Sequence, residues 1–375
     1  MKYSRSAISD NIPAHMPLQH LARLRLHQQQ ISNKLFTDPA ALAGWFGAMQ
    51  AQDYANVRWA LGVRLPTATD AVVAAAIDAG KIIRTHILRP TWHLVAAEDI
   101  RWMLDLSGPR VSAQIAGMHQ RLGLPTGVFK QSRAVIEKSL IGGVSLTRTE
   151  LVAELEKSGI IANLLQATQL MMQAELDGLI CNGPMRGKQF TYALLEERAP
   201  NARRLARDEA VATLVRRYFQ SHGPATISDF VWWSGLTGAD AKAGLEAIKA
   251  DFISETIGAH TYWMPSNIPA LNPSQTEAHL LPGYDEFIVS YKNREASLDP
   301  AHKNIAILGN GIFKPIVVLN GKVVGIWQRT LKRQYVLVEI TLFNTLSPGE
   351  KQAVEAKAAL FAQFMELEVV VQFIP

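Results

Sequence analysis

Residues 70–95, DAVVAAAIDAGKIIRTHILRPTWHLV, run from a helix into a strand pair and decide how the rest of the chain is read. The first ten positions carry a helical pattern that Gly80 closes, since glycine enters the left-handed region at no steric cost. Lys81 to Val95 is rich in Ile, Thr, Trp and Val, with Pro90 in its middle. Proline cannot donate to a ladder, so this is a strand pair or an edge strand with a bend. Upstream, Leu18, Leu21, Leu24 and Ile31 predict one helix. Asp38-Pro39 opens another, whose Leu42, Trp45, Phe46 and Met49 recur at spacings of 3 and 4. Three helices followed by a short β ribbon is the order of a winged helix.

The pattern returns twice. Ser145 to Glu150 opens a short helix through Lys157, a longer one follows from Leu164 to Leu179, and Ile180–Leu194 reads as a hairpin around Asn182-Gly183-Pro184 and Arg186-Gly187-Lys188. A third copy has helices at Arg204–Phe219 and Gly238–Lys249 and strands within Phe252–Met264. Beyond a proline-rich linker at 266–279 the texture becomes strands: Phe287–Tyr291, Ile316–Leu319, Val323–Trp327 and Val336–Leu342, with Asn320-Gly321 as a hairpin turn. Ser347-Pro348-Gly349-Glu350 is a capping box opening a helix, and Val369–Ile374 closes the chain as a buried strand. The expected fold is α+β: a flexible arm at 1–15, winged helices at 16–125, 126–200 and 201–265, and a small β-barrel-like domain with one helix at 280–375.

A chain of 375 residues exceeds the roughly 250–300 that one core supports, so several cores are expected. No apolar run approaches the roughly 20 residues of a membrane span, and the polar start lacks a signal-peptide core. A lone cysteine, Cys181, excludes an internal disulfide framework and a thiolate-rich zinc site. These features point to a cytoplasmic, nucleoid-associated protein. The net charge of +5 is unevenly spread, with 12 Lys/Arg against 8 Asp/Glu in residues 1–110 and 8 against 4 in 184–217. Such a distribution suits a polyanion-facing surface.

Gln50-Ala51-Gln52 lies among Trp45, Phe46, Tyr54 and Trp59. An amide neither takes nor gives a proton near neutral pH, but its carbonyl can hold a water and its NH2 can donate. In an unbroken helix residues two apart diverge by about 200°, so two glutamines sharing one site require a break near Ala51. Asp53, the carboxylate of this stretch, either activates a water or caps the next turn. Arg89, Thr91 and His93 alternate along a strand and would present one face, with His86 and Trp92 on the other, unless Pro90 bends the register. Arg84, His86, Arg89, Thr91 and His93, with Arg186 and Lys188 on the second wing, are the candidate DNA ligands, and Arg203, Arg204, Arg207, Arg216 and Arg217 could follow a backbone. In Leu280-Leu281-Pro282-Gly283-Tyr284-Asp285, Tyr284 and Asp285 either face a cleft or form a structural turn. His86 and His93 have no carboxylate at ligand spacing, so no metal is expected, and no Walker loop or dinucleotide fingerprint calls for a cofactor.

Gln50-Ala51-Gln52, the run Thr85 to His93, and Leu280–Asp285 with Asn320 to Trp327 together resemble the AlkZ-like superfamily of winged-helix DNA glycosylases, over about residues 16–375. The resemblance implies a C-shaped row of three winged helices closed by a β-barrel, a monomeric enzyme on double-stranded DNA, and excision of bulky or crosslinking alkyl adducts from purines without a cofactor. It assigns Gln50 and Gln52 to the catalytic Gln-apolar-Gln motif, with Tyr284 among the DNA-binding residues, and a related branch has Asp at the second polar position. The alternatives are a non-catalytic winged-helix DNA-binding regulator and a scaffold for protein partners.

Overall fold

Asp38 accepts the amide protons of Ala40 and Ala41 at 3.3 Å and Pro39 takes the first helical position, so a helix starts where the sequence says it should. It ends earlier than expected, at Phe46, because Gly47 turns to φ 78° and donates back to Gly44. This is seen in a computed structural model that describes residues 18–160, 163–268, 271 and 276–375. The expected arm at 1–15, and positions 269, 270 and 272–275 of the expected linker, lie outside the described residues.

The first part holds α1 (Leu18–Gln28), α2 (Pro39–Phe46), α3 (Tyr54–Gly62) and α4 (Asp70–Asp78), with β1 (Met49–Gln50), β2 (Ile82–Ile87) and β3 (Arg89–Ala96) in an antiparallel sheet ordered β1-β3-β2. Two long helices follow that periodicity did not single out, α5 (Ile100–Arg121) and α6 (Thr126–Leu140). Pro109 lies inside α5, and Gly108 lets α5 approach so closely that a Cβ there would stand 2.7 Å from the Leu176 carbonyl oxygen. The next part has β4 (Leu146–Thr147), α7 (Arg148–Lys157), α8 (Leu164–Leu176), β5 (Ile180–Asn182), β6 (Thr191–Leu194) and a short α9 (Leu195–Arg198), its sheet ordered β4-β6-β5. Then come α10 (Arg207–His222), α11 (Ile227–Ser234), α12 (Gly238–Ile248) and the hairpin β7 (Phe252–Ile257) with β8 (His260–Pro265).

The C-terminal part contains β9 (Ala278–Leu281), α13 (Glu286–Val289), α14 (Lys303–Ala306), β10 (Ile316–Leu319), β11 (Lys322–Leu331), β12 (Tyr335–Leu342), α15 (Pro348–Phe364) and β13 (Glu368–Ile374). Three expectations are corrected here. The five strands run β13-β12-β11-β10-β9 with β9 and β13 unpaired to each other, so the sheet is open and no barrel closes. Its apolar face is covered by helices instead: the Phe361 ring of α15 lies 5.0 Å from Trp59 of α3 and 5.1 Å from Trp327 of β11. Residues 287–291 are not a strand, because Asp285 accepts the Phe287 amide at 2.9 Å and starts α13. Strand β13 is an edge strand with alternating exposure, parallel to β12 across the α15 crossover. The Asn320-Gly321 turn has both residues at positive φ, 50° and 83°, as a tight hairpin requires, and the Ser347 capping box with Glu350 forms.

One apolar core holds Leu42, Phe46, Trp59 and Ile77 together with Leu280, Phe287, Val317 and Trp327. The segment around residue 50 and the segment around residue 285 therefore share an interior, although more than 200 residues separate them. A second core joins β2, β3 and α5 to α10–α12, and a third holds α6–α8 with β5 and β6. No helix among the described residues is long and apolar enough to cross a membrane.

Candidate active site

Gly47 ends α2 three residues before Gln50, so Gln50 enters the site on an extended strand. Met49 pairs with Leu94 and Gln50 with His93. Ala51 is pinned on both sides: its N–H donates to the Trp92 carbonyl at 2.7 Å, and its carbonyl accepts Arg84 Nε at 3.1 Å and Nη2 at 3.0 Å. Its methyl group is fully buried in the core shared with Leu42, Phe46 and Trp59. The chain then bends, Gln52 is exposed, and Asp53 caps α3 by accepting the Asn56 amide at 2.8 Å. The helix break that two cooperating glutamines require is thus present, supplied by a short strand and a bend.

Gln50 is buried and its Oε1 accepts Arg89 Nη2 at 3.2 Å and Thr91 Oγ1 at 3.4 Å. Those two side chains converge because β3 carries two extra residues, Pro90 and Thr91, between the pairs His86–Trp92 and Ile87–Arg89. The irregularity also puts Pro90 where no ladder needs its missing N–H, and Leu88 makes the turn at φ 62°. Gln52 lies in a cleft of about 610 Å³ with Asp53, Tyr54, Arg58, Lys188 and Phe190. Both carboxylates of that cleft are committed to backbone amides, Asp53 to Asn56 and Asp78 to Met185.

The other residues singled out from sequence divide by burial. Arg84 is buried against Trp92, 4.2 Å from its ring, and serves Ala51. His86 is buried, with its Nδ1 hydrogen-bonded to the Glu175 carboxylate. His93 is fully buried, with Nδ1 2.9 Å from the Thr91 carbonyl, and burial followed by the Arg89 charge lowers its pKa to about 3. It is a neutral imidazole at working pH, so it brings no cation to a phosphate. Arg186 is exposed but paired with Glu150 at 2.7 Å, while Lys188 is exposed on the loop beside Gln52. Tyr284, at φ 61°, has its ring 5.8 Å from that of Phe313 and tilted by 46°, and burial followed by the Asp53 charge raises its phenol pKa. Asp285 is structural: it receives both terminal nitrogens of Arg64, at 2.7 and 2.8 Å. Arg203, Arg204, Arg207, Arg216 and Arg217 all form ion pairs with aspartates.

Sequence reasoning named Arg89 but passed over the cations gathered around it, Arg110, Lys242 and Lys292. A groove of about 740 Å³ beside Gln50 is lined by Arg89, Thr91, Arg110, Trp232, Lys242 and Lys292, and no carboxylate lines it. No single segment carries this set, which comes from β3, α5, α11–α12 and the loop after α13, so no charge run could betray it. Glu286, also missed, accepts the Gln50 backbone amide. The available signal was one acid leading straight into the apolar run Phe287-Ile288-Val289. Among the described residues no group of His, Cys, Asp and Glu is arranged to hold a metal ion.

A profile of the family described as DNA glycosylase AlkZ-like matches residues 43–364, most of the chain and both motif-bearing segments. The chain belongs to that family. A relative, the interstrand DNA cross-link repair glycosylase of Streptomyces sahachiroi, is 23% identical over 328 residues, covering 81% of this chain and 85% of its own. The solved structure of Streptomyces sahachiroi DNA glycosylase AlkZ superposes with a TM-score of 0.81 at 20% identity over 96% of this chain and 100% of that one, which shows the fold. The AlkZ-like assignment makes the enzymatic class that of a DNA glycosylase.

His93 gives this AlkZ-like chain a pH dependence of stability. Its pKa is about 3 in the fold and near 6.5 when unfolded, so between these values the unfolded chain binds the extra proton. The contribution is complete above pH 6.5 and is lost as pH falls toward 3, at up to about 1.4 kcal/mol per pH unit. Urea melts from pH 7 to pH 4 are expected to show this loss. His93→Gln is expected to flatten it by one proton's share, and the other histidines whose pKa values burial lowers, His222 and His279 among them, contribute to the residual slope.

Proposed function

We propose that this chain excises alkylated purine bases, bulky and interstrand-crosslinked adducts included, from double-stranded DNA by water attack at the anomeric carbon. The observation that carries the reading is the pairing of two neutral amides, one locked and one exposed, beside a cleft whose carboxylates are already engaged. A site whose nearest carboxylates cap backbone amides and whose motif is built of amides suits a leaving group that is activated beforehand. Alkylation at nitrogen-7 of guanine makes the base cationic and weakens its glycosidic bond. The water oxygen bonds to the anomeric carbon, the carbon–nitrogen electron pair neutralises the purine, and the water's proton passes to solvent.

The geometry divides the work between the glutamines. Both acceptor directions of Gln50 Oε1 are taken by Arg89 and Thr91, so Gln50 offers the NH2 end of a fixed amide. Gln52 is exposed with its carbonyl available, and it is the residue we assign to hold the water. Oriented amide dipoles around a cationic, oxocarbenium-like sugar supply electrostatic stabilisation without a proton transfer. The substrate class of the cross-link repair relative supports extending the reading to crosslinks, since an exposed Gln52 suits an adduct too large to be flipped into a closed pocket.

DNA enters this proposal along three winged-helix units of one protein molecule, with the carboxylate-free groove beside Gln50 following the backbone. Lys242 and Lys292 are exposed in that groove. Replacing both by Ala is expected to weaken duplex binding alike for damaged and undamaged DNA and to reduce the slope of log affinity against log salt by about 1.8. Anisotropy titrations between 50 and 200 mM salt, taken here as roughly the window in which such slopes are read, check it. An unchanged slope would remove the groove from the DNA path.

A further inference from the structure

Gln50 sits on a two-residue strand at the edge of its sheet, so β3 cannot satisfy its outward amide. That amide donates to Glu286 Oε1 at 2.5 Å, across 236 positions of sequence. The other carboxylate oxygen accepts Ser290 Oγ and, at 3.2 Å, Trp233 Nε1, and it lies 3.4 Å from His222 Nε2. The side chain is almost wholly enclosed. We propose that Glu286 is a positioning residue of the glycosylase site, holding Gln50 at its backbone amide. This role rests on the proposed excision reaction and names a residue of the same site.

A mere staple between elements needs no charge. Burial pushes the Glu286 pKa up, but the donors from His222, Ser290 and the Gln50 amide outweigh it and bring the group to about 2, so it stays ionised at working pH. Its charge acts in turn on Arg89, whose burial lowers its pKa and which Glu286 holds toward the protonated form. Arg89 then donates to Gln50 Oε1. The backbone restraint on Gln50 outside the sheet and the donors of Ser290 and Trp233 meet on one carboxylate. An amide in its place cannot serve them, because its NH2 would have to face an N–H or O–H donor on one side or the other.

Base release from duplex DNA carrying an N7-alkylated guanine, with protein in excess, tests the role. Glu286→Gln is expected to slow release about 100-fold, the scale of a slight misplacement of a reacting group, with duplex affinity within about twofold of the parent. In a Gln50→Ala background the same change is expected to add no further loss, because the path through Gln50 is already cut. A variant that releases base at the parental rate, or a loss that is as large without Gln50 as with it, would overturn the assignment. Should Glu286→Gln not fold, Ser290→Ala loosens the carboxylate and leaves its contact with Gln50. A slowing of about fivefold that vanishes in the Gln50→Ala background supports the role, and an unchanged or Gln50-independent rate overturns it. A parent protein that releases no base overturns the glycosylase reading and this role with it, whereas an active parent with an equally active Glu286→Gln overturns the role alone.

Discussion

Changing Gln50 and Gln52 together to Ala is expected to slow release of N7-alkylated guanine by about 10³-fold or more, with duplex affinity nearly unchanged, since removal of a single preorganised dipole from a developing charge already costs about 10²–10³. The two losses should not multiply, because both amides act on one water and one sugar. Gln52→Ala alone is expected to give the larger single loss: Gln52 is exposed at the bend, while the Gln50 carbonyl is already occupied by Arg89 and Thr91. Chromatography of the free base from methylated or mustard-treated DNA measures it. Release that survives the double change ends the amide mechanism, and tight binding without release in the parent protein returns the chain to the regulator reading.

The second large effect falls on stability. Asp285→Ala is expected to cost about 3–5 kcal/mol, because it strands the Arg64 guanidinium in the interior. Arg64 and Asp285 are 0% and 1% exposed, and the five N–H donors of Arg64 are spent on Asp285, on the Gln29 carbonyl and side chain, and on the Ala60 carbonyl. Arg64→Met combined with Asp285→Leu should recover much of the loss, since it removes both charges at once. Urea denaturation at pH 7 reads both, and a single variant as stable as the parent contradicts the burial of this pair. The pair also ties the end of α1 and the exit of α3 to the segment that carries Glu286, so its loss is expected to lower activity through the position of β1.

Much of the chain was legible because local rules and tertiary context agree. The capping boxes at Thr147 and Ser347, the proline start of α2 and the Asn320-Gly321 turn depend on residues within a few positions of each other. Two expectations near the C-terminus, a strand at Phe287–Tyr291 and a buried place for the strand at Val369–Ile374, failed because β-prone composition fixes neither helix nor burial. Phe287–Tyr291 and Val369–Ile374 are rich in β-prone residues, yet Asp285 caps the first into a helix and the second lies at a sheet edge. Helix α5 escaped notice because Gly108 and Pro109 read as helix breakers in the sequence although the helix runs through them. The ribbon at 82–96 was read as a bent strand pair, but the irregularity at Pro90-Thr91 shows only in the pairing.

The sequence alone carried the motif on which the proposed amide mechanism rests, glutamines at 50 and 52 with an apolar residue between. It also marked many of the helices and ribbons, though not α5, α6 or α13, because caps, turns and periodicity act over a few residues. Tertiary structure decided which amide is locked and which is exposed, which arginines are spent in ion pairs and which cations remain, and that a carboxylate 236 positions away holds the Gln50 backbone. The physical reason is the range of the forces involved. Burial and charge pairing join residues by distance in space, and no spacing along the chain records that distance.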